Sequence, residues 1–134
     1  MTSRRGTLVE QGARELLQVN GYTVRIIPCG FNKRLPPAHL VATKTTGETR
    51  FIRIQKISHQ PICVDTVEHS CANDIVQFRK YIQRHPELKM LHCEIWTYTI
   101  YHGFRPFEVT LDSVMEILKL SLIRLLTSEN AGAS

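Results

Sequence analysis

Little in this sequence would commit it to a membrane, a secretory route or a disulfide framework. No unbroken apolar run approaches the roughly 18 residues that a membrane-spanning helix needs. The basic start Met1-Thr2-Ser3-Arg4-Arg5-Gly6 is followed by no apolar stretch of signal-peptide type, so no secretory signal is expected and the expected location is cytoplasmic. The four cysteines, Cys29, Cys63, Cys71 and Cys93, are widely spaced and form no Cys-x-x-Cys pair. In a reducing compartment they are expected as free thiols, mostly buried. Cys63, His69, Cys71 and the His92-Cys93 pair do not have the spacing of a zinc module, and no metal site is expected from them. Carboxylates are in the minority: 12 Asp and Glu stand against 17 Lys and Arg, for a formal net charge of +5. That balance favours an anionic partner, nucleic acid first among them.

What is present reads as one α/β domain over residues 1–134, with loose tails at 1–5 and 128–134. Its centre is the stretch Pro36-Pro37-Ala38-His39-Leu40-Val41-Ala42 and, after a polar turn around Gly47, Phe51-Ile52-Arg53-Ile54-Gln55-Lys56. The two prolines block a helix upstream and β-branched residues dominate downstream, so two short strands joined as a hairpin are expected.

The flanking segments follow from their apolar spacing. Leu8, Val9, Ala13, Leu16 and Leu17 fall on one face of a helix over 7–19, with Thr7 and Glu10 as its capping box and Asn20-Gly21 as its end. Tyr22 to Pro28 alternates as a first strand. The segment from Ser58 to Ser70 reads as irregular, with Ile62-Cys63-Val64 as a short strand or buried loop. A second amphipathic helix is expected from Cys71 to His85, its stripe formed by Ile75, Val76, Phe78 and Ile82 and its end set by Pro86. Arg79, Lys80 and Arg84 suit that helix's C-terminal half. Leu91 to Ile100 and Phe104 to Thr110 alternate as a second hairpin turning at Gly103. A last helix is expected over 113–127. Its apolar residues, from Val114 to Leu126, cover most of its circumference, so a homodimer is expected to bury it.

The central hairpin resembles that of the PD-(D/E)XK nuclease superfamily, in particular its archaeal Holliday junction resolvase-like branch. The resemblance covers residues 6–110 and implies a restriction endonuclease-like core: a mixed sheet flanked by helices, here with the extra C-terminal helix. In that family an Asp on the second strand and a Glu-x-Lys on the third hold Mg²⁺ and orient a water at the scissile phosphate. Here His39 stands at the Asp position, Arg53 at the Glu position and Gln55 at the Lys position. The resemblance also implies a helix carboxylate near the site, matched by Glu15 or Glu10. A solvated carboxylate is the plainer account of either.

A neutral imidazole, a permanent cation and an amide are a poor Mg²⁺ cage, and Arg53 places positive charge where the ion would sit. The expectation is therefore a catalytically degenerate nuclease fold, with no cofactor, that binds branched or duplex DNA through Arg25, Lys33, Arg34, Lys44, Arg53 and Lys56, with Arg50 nearby. One alternative is an active Mg²⁺-dependent endonuclease whose carboxylates have moved in from Glu48, Glu15, Asp65 or Glu68. Another is a structural or protein-interaction subunit in which Arg53 merely pairs with Glu15 or Glu48. Trp96, Tyr98, Tyr101, Phe104 and Phe107 are candidates for stacking on bases, against ordinary sheet packing as the simpler account.

Overall fold

The computed structural model describes residues 8–27, 35–57, 62–100 and 102–117. It is built on one mixed sheet of six strands in chain order, β1 (Thr23–Ile26), β2 (Leu40–Thr43), β3 (Thr49–Lys56), β4 (Leu91–Thr99), β5 (Gly103–Val109) and β6 (Val114–Glu116). Every neighbouring pair is antiparallel except β3 with β4. The parallel pair needs a crossover, and α2 (Val64–Ser70) and α3 (Ala72–Arg84) supply it. The first helix, α1 (Leu8–Val19), covers the other face.

Two apolar layers result. On the α1 side Leu16 and Leu17 pack with Leu40, Ile52, Ile54 and Trp96. On the α3 side Ile75 and Phe78 pack with Phe51, Cys93, Ile95 and Phe107. Burial of each such large side chain contributes about 1.5–3 kcal/mol. The central strand β4 is buried on both faces from Cys93 to Thr97, as expected of a strand that pairs in parallel beneath helices. Gly47 turns the β2–β3 hairpin at φ 101°, a conformation open to glycine without strain.

Two expectations about elements are corrected. The supposedly irregular stretch before Cys71 contains α2, opened by the Cys63 N–H donating to Thr66 Oγ1 at 3.3 Å and separated from α3 by Cys71. The expected helix from 113 is, over Val114–Glu116, the edge strand β6. Thr110 and Ser113 close the turn before it, with the Ser113 N–H donating to Thr110 Oγ1 at 3.1 Å, and Val114 pairs with Val109. Val114 and Ile117 are buried inside the protomer, so they no longer count toward a face that needs a second copy. Residues 118–127, which hold the rest of the expected dimer helix, lie outside the described residues, as does Thr7 of the expected capping box. No described helix is long and apolar enough to cross a membrane.

Candidate functional site

The sheet forks between β2 and β3. Their ladder ends at Leu40–Ile52, whereas β3 continues beside β4 as far as Lys56. Pro37 has no N–H with which to continue the ladder, and the Ala38 N–H turns back onto the Pro36 carbonyl at 2.8 Å. His39 closes the gap. Its backbone N–H donates to the Ile52 carbonyl at 2.8 Å, and the Ile54 N–H donates to its ring Nδ1 at 2.9 Å. The imidazole thus stands in for the missing rung of the ladder.

That bond also fixes the chemistry of His39. With Nδ1 accepting, the neutral ring carries its proton on Nε2, and Nε2 faces Glu10 Oε2 at 3.8 Å. Burial and the nearby Arg53 cation hold the imidazole below its usual range, against the pull of Glu10 and Asp74. Arg53 enters from the α3 side of the sheet. Its Nε lies 3.2 Å from Asp74 Oδ2 in the first turn of α3, in a contact too bent for a hydrogen bond. A third of the Arg53 side chain remains exposed. The fork therefore gathers a carboxylate from each covering helix, a neutral imidazole and a guanidinium.

These donors do not fit the Mg²⁺ that the resemblance of the hairpin implies. The Nδ1 lone pair of His39 is spent on a backbone N–H, its Nε2 carries the proton, and Asp74 is matched by a permanent cation in the same place. Among the described residues no group of three His, Cys, Asp or Glu side chains is arranged to hold a metal ion.

The other site candidates separate. Glu15 is exposed on α1, and Glu10 is the residue that α1 brings to His39. Gln55 is half-buried, with its amide on the Lys56 carbonyl at 3.4 Å. Lys56 is exposed at the end of β3, and Arg25 is exposed on the edge strand β1, beside a groove of about 350 Å³ lined by Ile26, Leu35 and Phe51. Lys44 lies at the opposite end of the sheet, its ammonium 4.5 Å above the Tyr22 ring. Lys33, Arg34 and Tyr101 lie outside the described residues. Arg53 pairs with neither Glu15 nor Glu48, and Asp65 and Glu68 are exposed. Arg79 is tied to the fold by Nε donating to the Thr110 carbonyl at 2.8 Å. Trp96 and Phe107 are buried and serve packing.

Glu48 and Arg50 belong to a second polar cluster near Lys44. Tyr22 donates to Glu48 Oε2 at 2.5 Å, and Arg50 Nε donates to the same oxygen at 2.6 Å and to Tyr22 Oη at 2.8 Å. An Arg50 Nη pairs with Glu94, whose other oxygen accepts from Trp96 Nε1 at 2.8 Å. Burial pushes the Glu94 carboxyl upward against the pull of Arg50 and Trp96, and burial together with the Glu48 bond raises Tyr22 to about 12. Sequence reading missed this cluster and missed Asp74 at the fork. Both depend on which strands and helices come together, and no local spacing carries that.

No protein-family model matches the sequence, and no curated protein matches it. Among solved structures the chain is similar to a Holliday junction resolvase, Hjc, of the archaeal hyperthermophile Archaeoglobus fulgidus. The TM-score is 0.56 at 14% identity, over 90% of this chain and 93% of the other. The chain therefore has a nuclease-like α/β fold.

Proposed function

We propose that the chain is a nuclease-fold protein of the Holliday junction resolvase-like branch whose motif has lost its carboxylates, and that it binds DNA, branched or duplex, at the sheet fork without cutting it. The observation that carries this reading is Arg53, one-third exposed in the fork. The ion pair with Asp74 uses its Nε, and the Nη groups supply further donors suited to a phosphate. Lys56 is exposed three residues further along β3 and adds a second cation at the same end. Arg25 belongs to the same proposed surface and Lys44 to a more distant contact, while Lys33 and Arg34, outside the described residues, are proposed as phosphate contacts from the sequence alone. The apolar residues from 118 on support a homodimer, testable as a species of twice the 15.4 kDa chain mass in sedimentation.

A second reading is an active nuclease with relocated ligands: Glu10 and Asp74 are the carboxylates that approach the fork from opposite faces, and such a site would need Arg53 to leave Asp74. One experiment separates the readings: binding to a labelled four-way junction and a matched duplex over a salt series, with and without Mg²⁺ or Mn²⁺. The expected result is binding that weakens steeply with salt, by a log–log slope of about −0.9 per phosphate contacted, and no cleavage. Metal-dependent cleavage lost in Asp74→Asn favours the second reading. No binding at low salt overturns both and leaves a structural or protein-interaction role.

A further inference from the structure

On the α1 face of the sheet, at the fork's end, three side chains stand in one row across the strands. They are Lys56 on β3, Tyr98 on β4 and Phe104 on β5, joined by the register pairs Lys56–Tyr98 and Tyr98–Phe104. The aromatic pair is built outward from the core. Trp96 is buried at 1% exposure, and Phe104 rests edge-on against it with ring centres 5.6 Å apart. Gly12 of α1 lies over Phe104: a Cβ placed there would stand 3.6 Å from the ring, in ordinary contact. Tyr98 sits against Phe104 at 5.1 Å and is half-buried, with exposed Lys56 as its register partner on β3. Ile100, two residues on, is 78% exposed.

We propose that Tyr98, backed by Phe104 and flanked by Lys56, is a stacking subsite for an unpaired base. The ligand of the fork is then a nucleic acid with single-stranded bases next to duplex, rather than uninterrupted duplex. This rests on the nucleic-acid reading above and narrows its substrate class. In a duplex both faces of each base are covered, so a flat ring on a protein surface receives only a base that has left the stack. Strands lie about 4.8 Å apart, so ring and ammonium can serve one nucleotide, the ring its base and the ammonium its phosphate. Alternation along β3 places Arg53 and Lys56 on opposite faces of the sheet, about 10 Å apart along the strand. A single strand can round that end and touch both. Duplex DNA, with a persistence length of about 50 nm, cannot bend so sharply.

The test compares a gapped duplex carrying 2-aminopurine at the unpaired position with the intact duplex of the same sequence. Wild type and Tyr98→Phe are expected to favour the gapped form and to quench the probe. In Tyr98→Leu the quenching is lost and the preference falls roughly 5- to 100-fold toward equality. Thermal unfolding checks that the variant is folded. Cross-linking from 5-iodouracil at the unpaired position needs no variant, and its adduct is expected on Tyr98. An adduct elsewhere, or equal wild-type affinity for both DNAs, overturns the subsite while leaving DNA binding intact. Failure of wild type to bind either DNA overturns the subsite together with the reading it rests on.

Discussion

Arg50 and Arg53 stand on one strand, three residues apart, and have opposite surroundings. Arg50 faces α1's side of the sheet, is 8% exposed, and is bonded to Tyr22, Glu48 and Glu94. Arg53 faces α3's side at the fork, is one-third exposed, and has a bent contact with Asp74. A buried guanidinium is tolerable only when its partners replace water almost completely, whereas a partly exposed one keeps water for part of its fork. The same residue type is therefore expected to serve stability in one place and ligand contact in the other.

The sharpest way to break this comparison is to remove Arg50. Arg50→Ala strands the Glu94 carboxylate in the core and is expected to cost about 3–5 kcal/mol in urea unfolding. Replacing the pair together, Arg50→Met with Glu94→Leu, should recover part of that loss, since the buried Trp96 N–H is then left without its acceptor. If Arg50→Ala costs no more than a surface change, the cluster is not what holds this end of the sheet. Next in size is His39→Leu, which orphans the Ile54 N–H and should cost about 1–3 kcal/mol, while His39→Asn keeps an acceptor and should cost less. Hydrogen exchange at the Ile54 amide reports the same bond directly.

A pH dependence follows from the same residue. His39 titrates below its unfolded value of 6.5. Between those two values the unfolded chain binds a proton that the folded chain does not. The contribution is fully present above about pH 6.5 and declines as pH falls toward the folded value. Unfolding midpoints followed from pH 7.5 downward should fall, and the His39→Asn slope should be shallower. The smallest stability effect is expected for Arg53→Ala, under about 1 kcal/mol for an ion pair this exposed. Its effect on DNA should be general across sequences, with the salt slope reduced by about one.

The strands and the longer helices were legible because their apolar residues keep one period: β4 and β5 alternate, and α1 and α3 carry a stripe. Val64–Ser70 escaped notice as a helix because seven residues give only one buried position, Val67, and no stripe to read. Val114–Glu116 was misread because apolar residues on every side fit a helix as well as a strand. Alternation does tell that Arg50 and Arg53 point to opposite faces. It cannot tell which face holds the carboxylates, since Glu94 reaches Arg50 across a strand pair and Asp74 reaches Arg53 from the start of a helix.

At the fork, Glu10 and Asp74 lie on either side of a neutral imidazole, and Arg53 is the cation among these four residues. The polarity of the place thus hangs on one side chain. Arg53→Glu would turn the proposed anion seat into a crowd of carboxylates, repulsion that a proton or a cation would have to relieve. A single codon separates the two behaviours in charge, although the His39 rung would still withhold its nitrogen from any ion that came.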